Sequence, residues 1–125
     1  MSESLLLIEQ AGAVRRVWLN RPEARNAQSQ QMLDQLDAAF RDAQADAATR
    51  VVVLAAKGAH FSAGHDLKQA QAERAEFTVE ERWAYEQQRY FDYCMRIWDF
   101  PKPTVAQAPC TCAIVGFGKS QMRMQ

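Results

Sequence analysis

An excess charge of either sign is missing from this sequence: 15 Lys and Arg stand against 15 Asp and Glu, for a formal net charge of +0. Without a cationic excess the chain cannot neutralise a phosphate backbone or grip an anionic lipid surface, so neither nucleic acid nor membrane is expected as a partner. Long apolar runs are missing too. The stretch Leu5 to Ile8 follows an acidic start, Met1-Ser2-Glu3-Ser4, and is too short for a signal-peptide core or a membrane span. A cytoplasmic location is the expectation. Cysteine is scarce, with only Cys94, Cys110 and Cys112. An odd count without a secretory signal favours reduced thiols over a disulfide framework. Cys110-x-Cys112 supplies two thiolates with no neighbouring Cys or His, half of a four-ligand set, so no metal site is expected. Internal repeats and low-complexity tracts are absent, and nothing marks a second domain. A length of 125 residues, 48% hydrophobic and 24% charged, suits one globular domain at most.

What is present changes its period along the chain. Leu5 to Gln10 and Val14 to Leu19 are runs rich in branched residues, separated by Ala11-Gly12, where glycine supplies a positive φ; they predict a β-hairpin. Asn20-Arg21-Pro22-Glu23 stops the second strand, because proline lacks an N–H and restricts the residue before it. From Ser29 to about Asp46, the residues Met32, Leu33, Leu36, Phe40 and Ala43 recur at helical spacing, with Ser29 as N-cap. Val51 to Ala55 is an uninterrupted apolar run. It predicts a strand covered on both faces in a parallel sheet and, with the helix before it, a right-handed βαβ unit. A second helix is predicted from Thr78, with Glu81 as capping-box partner, to about Asp99, ended by Pro101 and Pro103. Its residues Trp83, Tyr90, Phe91, Cys94, Ile97 and Trp98 fall at helical spacing and are expected in the core. Thr104-Val105-Ala106 reads as the next strand.

Chemistry concentrates in Phe61-Ser62-Ala63-Gly64-His65-Asp66-Leu67-Lys68. This segment leaves the C-terminal end of the Val51 to Ala55 strand, the end at which open α/β sheets bind ligands. Between a buried strand and a short helix it aims successive backbone N–H groups outward, a geometry suited to negative charge. The same residues also describe an ordinary strand-to-helix turn, with Gly64 as hinge and Asp66 as N-cap. On the residues alone, both readings stand.

Five blocks together resemble the enoyl-CoA hydratase/isomerase (crotonase) family. They are Leu19-Asn20-Arg21-Pro22-Glu23-Ala24-Arg25-Asn26-Ala27, Met32-Leu33, Arg50-Val51-Val52-Val53-Leu54, the Phe61 to Lys68 segment, and Pro101-Lys102-Pro103-Thr104-Val105-Ala106. They fall in the family's order and spacing and cover nearly the whole chain to Ala106. The resemblance implies an α/β fold, a partial crotonase-like (ClpP/crotonase) spiral of ββα units. It implies an acyl-CoA thioester as small-molecule substrate, with coenzyme A part of the substrate and no separate cofactor. The thioester oxygen would sit between two backbone N–H donors. By the match to the family's Ala-Gly-x-Asp segment, the first donor is the N–H of His65, and Ala63, His65, Asp66, Leu67 and Lys68 line the CoA path. Enolate-forming chemistry collects negative charge on that oxygen, and fixed donors meet it without reorganisation. Backbone donation leaves the His65 imidazole without a required role, action as a general base being the alternative. His60 reads as solvated. Lys68, Arg25 and Lys57 could each meet a CoA phosphate and are equally surface cations.

Past Ala106 the family pattern breaks. The resemblance implies a glycine, a short spacer and a Gly-Gly pair opening a helix; here Cys110 stands at the first position and the pair is split into Gly116 and Gly118. Gly116 is the candidate second donor. Of the two glutamates used by the family's hydratases, the first would fall at Gly118 or Lys119 and the second beyond Gln125. The expectation is therefore an incomplete crotonase-like domain over 1–125, family-like to about residue 106 with a divergent 107–125, inactive as this chain. A non-catalytic fragment or CoA-binding remnant is the alternative. The family's homotrimers or hexamers are expected to fail here, and open strand edges and apolar faces predict aggregation. A rival pattern, Ala113 to Ser120, satisfies a relaxed P-loop, but five residues beyond it leave no room for the strands and the magnesium-holding aspartate such a loop needs.

Overall fold

Alternating apolar residues set the first strand pair. In the computed structural model, which describes residues 4–108, β1 (Leu6–Ala11) and β2 (Val14–Leu19) run antiparallel, with Leu6 opposite Leu19 and Ala11 opposite Val14. The turn between them holds Gly12 at φ +57°, a left-handed conformation open to a residue without Cβ. β2 pairs in parallel with β3 (Val51–Ala56), and β3 in parallel with β4 (Thr104–Gln107), so the sheet keeps chain order β1-β2-β3-β4. Parallel neighbours need crossovers. The first is α1 (Gln30–Ala45). The second is a helical layer of α2 (Leu67–Arg74), α3 (Val79–Glu86), a π turn (Gln87–Phe91) and α4 (Asp92–Trp98).

The core lies between the sheet and α1. Leu6, Val17, Leu19, Val52, Leu54 and Ala56 meet Met32, Leu36, Phe40 and Ala43 there. Phe100 closes the end with its ring edge-on to Phe40, centroids 5.1 Å apart. α1 starts as its sequence predicts, Ser29 Oγ accepting from the Met32 N–H at 3.2 Å. α3 starts with the predicted capping box of Thr78 and Glu81.

Two expectations are overturned. β3 is fully covered on one face only: Val52, Leu54 and Ala56 are buried, while on the other face Ala55 is buried but Val51 and Val53 are only half-buried, as are Trp18 opposite Ala55 and Val105 opposite Val53. The aromatic side of the second helical layer is not core either. Trp83 is 73% exposed, Phe91 53%, Trp98 40% and Tyr90 39%; Cys94 is exposed, and of the six residues only Ile97 packs against the core. The reason is visible on the other side of that layer. Arg89 and the Tyr93 hydroxyl bind Asp34 of α1, and Arg96 binds Asp37 of α1. These bonds pull the polar side of the layer toward α1 and turn the aromatic side away. Burial pushes the Asp34 carboxyl upward, but hydrogen bonds from Gln30, Tyr93 and Arg89 outweigh it and hold the group below the usual carboxylate range.

No helix among the described residues is long and apolar enough to cross a membrane. Cys110, Cys112, Gly116 and the Ala113 to Ser120 pattern lie outside the described residues.

Candidate functional site

The site is assembled on the loop after β2. A 3-10 turn (Pro22–Ala24) is followed by Arg25 and Asn26, both at φ 52°. Left-handed backbone costs a non-glycine residue roughly 1–2 kcal/mol. Here it is held by the Arg25 N–H on Pro22 O at 3.0 Å and the Asn26 N–H on Arg21 O at 2.9 Å. The strain delivers the Asn26 side chain into the interior, where it is fully buried and fully used. Its Oδ1 accepts from the Arg21 N–H at 2.8 Å, and its Nδ2 donates to the carbonyls of Lys57 at 2.9 Å and His60 at 2.8 Å. One amide thereby joins the loop after β2 to the loop after β3. Gly58, at φ +84°, completes the junction: a Cβ there would stand 2.8 Å from Pro22 Cβ.

From this frame the Phe61 to Lys68 segment is pinned bond by bond. Ser62 Oγ donates to Asn26 O at 2.9 Å and accepts from the Gly64 N–H at 3.1 Å. The Ala63 N–H donates to Arg25 O at 2.9 Å. Gly64, at φ +86°, turns the chain so that its carbonyl accepts from the Gln28 N–H at 2.8 Å, and the Asp66 N–H donates to Gln28 O at 3.0 Å. Gln28 and His65 thus form a single parallel bridge. Because Gly64 O and Asp66 N–H both face Gln28, the N–H and C=O of His65 between them point the other way. The His65 N–H has no hydrogen-bond acceptor among the described residues. Its neighbours Ala63, Gly64 and Asp66 all do.

Asp66 performs the predicted capping: Oδ1 accepts from the Gln69 N–H at 3.2 Å at the start of α2. Oδ2 accepts from Arg21 Nη1 at 2.7 Å, and the same Nη1 donates to Ala27 O at 3.1 Å. The Arg21 hydrogen bond, then the Gln69 amide, hold the Asp66 carboxyl below the usual carboxylate range. Both readings of the segment therefore coexist. It is a turn hinged at Gly64 and capped by Asp66, and it presents one unused amide.

The other candidates spread around that amide. Ala63, Leu67 and Lys68 are exposed beside it, as are His60 and Arg25. Lys57 is occupied elsewhere, with Nζ 3.7 Å from the centroid of the Trp18 ring. The His65 imidazole leans on Tyr90, ring centroids 4.6 Å apart at 52°. Tyr90 sits in the π turn, and burial pushes its hydroxyl pKa up. A cavity of about 360 Å³ opens between α2 and α3, with Leu67 on its wall. Among the described residues no three His, Cys, Asp or Glu side chains gather as a metal site would need.

Arg21, Asn26 and Tyr90 were not singled out by chemistry in the sequence. Arg21 and Asn26 stand inside a block read only for its resemblance, and nothing local tells that one asparagine will meet three backbone groups from two loops. The proline ahead of a strained, polar-rich loop was the available signal.

The fold described here is an α/β sheet-and-helix arrangement shared with crotonase-fold proteins. The chain belongs to the enoyl-CoA hydratase/isomerase family, whose model matches residues 9–118. It is similar to the solved enoyl-CoA hydratase/isomerase of Xanthobacter autotrophicus Py2, with TM-score 0.76 and 41% identity over 86% of this chain and 39% of that one. The enoyl-CoA hydratase of Mycobacterium smegmatis gives TM-score 0.72 and 40% identity over 85% and 40%. Among curated relatives, enoyl-CoA hydratase domain-containing protein 3, mitochondrial, of Danio rerio is 36% identical over 110 residues, 84% of this chain and 35% of that protein. The chain thus spans roughly two fifths of the length of the structures it matches.

Proposed function

We propose that this chain binds an acyl-CoA thioester and that the His65 N–H is one of the donors to its carbonyl oxygen. The observation that supports this reading is the unused His65 amide, held rigid between neighbours whose amides are all bonded. A donor fixed in this way stabilises a developing oxyanion without reorganising, and losing one such donor typically costs ~2.7–4 kcal/mol in the transition state. Ala63, Leu67 and Lys68 line the CoA path from exposed positions. Asp66 contributes by holding the turn, since its carboxylate is committed to Arg21 and to the α2 cap. Coenzyme A enters as part of the substrate, and Gly116 is the candidate for the second donor.

A further observation favours binding without turnover by these residues. The carboxylates around the His65 segment are engaged, Asp66 with Arg21 and Glu86 with Arg74. Neither is free to move protons to or from water. On this reading neither Asp66 nor Glu86 supplies the acid or base of a hydration reaction.

Two variants test the amide. His65→Ala keeps the N–H and is expected to bind crotonyl-CoA like the parent chain; His65→Pro removes it and is expected to bind at least about tenfold more weakly, the ratio that follows from losing one hydrogen bond to a polarised acceptor. Circular dichroism checks that both retain the fold. Equal affinities of the two folded variants would overturn the oxyanion reading. Loss of enoyl absorbance from crotonyl-CoA in the presence of the 125-residue chain would overturn the reading of binding without turnover.

A further inference from the structure

The cavity between α2 and α3 starts at Leu67, two residues past His65, and includes two guanidinium groups, those of Arg74 and Arg82. Leu67, Ala70, Gln71 and Arg74 line it from α2, and Arg82 and Glu86 from α3. The four α2 residues follow the spacing of a single helix face. At the helical rise per residue, Arg74 lies about 10 Å along the axis from Leu67. Leu67 stands just past the His65 amide, and Glu86 lies one turn before Tyr90, whose ring rests on His65.

The charges of the lining are unequal. Arg74 Nη1 donates to Glu86 Oε1 at 2.6 Å while its guanidinium lies 4.4 Å from the Tyr85 ring centroid. Its Nε is buried with no acceptor among the described residues. Arg82 has no carboxylate partner among the described residues; its Nη2 makes only a long, 3.5 Å contact with Arg74 O. Two cations against one carboxylate leave the lining net positive, in a cavity whose α2 wall begins with Leu67 and Ala70. The cavity of about 360 Å³ combines apolar groups at Leu67, Ala70 and Ala75 with polar ones at Gln71, Arg74, Arg82 and Glu86, a volume in the range of small-molecule sites.

We propose that this cavity receives the acyl group of the thioester and that Arg82, beside Arg74, binds a carboxylate at the distal end of that group. The preferred ligands are then CoA monothioesters of dicarboxylic acids. Guanidinium and carboxylate match in charge and in donor geometry, and an acyl chain supplies the apolar length between thioester and anion. The inference rests on the thioester reading of His65, and the test separates the two.

The 125-residue chain is titrated with adipyl-CoA, with hexanoyl-CoA of the same carbon count, and with free CoA. Adipyl-CoA is expected to bind about tenfold more tightly than hexanoyl-CoA, the ratio of one charge-assisted hydrogen bond. Arg82→Gln, at an exposed position that does not support the core, is expected to abolish that ratio while leaving hexanoyl-CoA unchanged, and Arg82→Lys to retain part of it. Equal binding of the two esters to the parent chain overturns this proposal and leaves the thioester reading standing. Failure of both esters to bind overturns both. If Arg82→Gln weakens free CoA as much as adipyl-CoA, the cation meets a CoA phosphate and the carboxylate assignment is overturned.

Discussion

α1 and the α3–α4 layer carry the same kind of sequence signal and meet opposite fates. Both repeat apolar residues at helical spacing. The apolar side of α1 lies against the sheet, with Met32, Phe40 and Ala43 at 0% exposure. The aromatic side of the other layer looks largely outward, and the layer is tied to α1 by polar bonds: Arg89 and Tyr93 on Asp34, Arg96 on Asp37, Tyr85 on Gln30. Periodicity establishes that a helix has an apolar side. It does not establish that a covering surface is present, and where ion pairs compete they choose the direction in which the helix faces.

The sharpest way to break this contrast is to truncate one aromatic in each region. Phe40→Ala is expected to lower stability by about 3–5 kcal/mol, since it empties a sealed site against Phe100. Trp83→Ala should stay within about 0.5 kcal/mol, as surface substitutions do. Urea denaturation midpoints measure both, and comparable losses would show that Trp83 is covered in solution.

Next in size is the junction between the loops. Asn26→Ala removes the partner of the Lys57 and His60 carbonyls and of the Arg21 amide, all of which meet a fully buried side chain, and is expected to cost about 2–4 kcal/mol. It should also loosen the turn that presents His65, so amide exchange at residues 62–66 should accelerate more than at β2. Uniform acceleration across both would mean that Asn26 supports the whole fold and has no special tie to the site.

The smallest expected loss at the candidate site belongs to Asp66. Its folded pKa lies below its unfolded value, about 3.9. The stability it contributes is therefore fully present above that value and is lost as pH falls through the lower, folded pKa. Asp66→Asn is expected to cost about 1 kcal/mol at neutral pH through the Arg21 pair and the weakened cap. The cost should vanish in acid, and a difference that persisted at pH 2 would assign it to packing.

Most of the fold could be read from residue patterns because its signals are local. The hairpin around Gly12, the Ser29 and Thr78 caps, the apolar run of β3 and the strand after Pro103 each follow from neighbours a few positions apart. The Phe61 to Lys68 turn was legible in the same way, through Gly64 and Asp66. The bonds that leave one amide unused were not, because they reach back to Arg25, Asn26 and Gln28, more than thirty positions earlier.

The amino-acid sequence by itself determined the order of strands and helices, the caps that start them and the family to which the chain belongs, since all of these rest on local spacing and short motifs. The tertiary structure alone decided which side of each helix is buried and which backbone N–H stays unbonded. Those outcomes depend on distant partners competing for the same groups: Asp34 and Asp37 for the arginines of the second layer, and Gln28 and Arg25 for the backbone around His65.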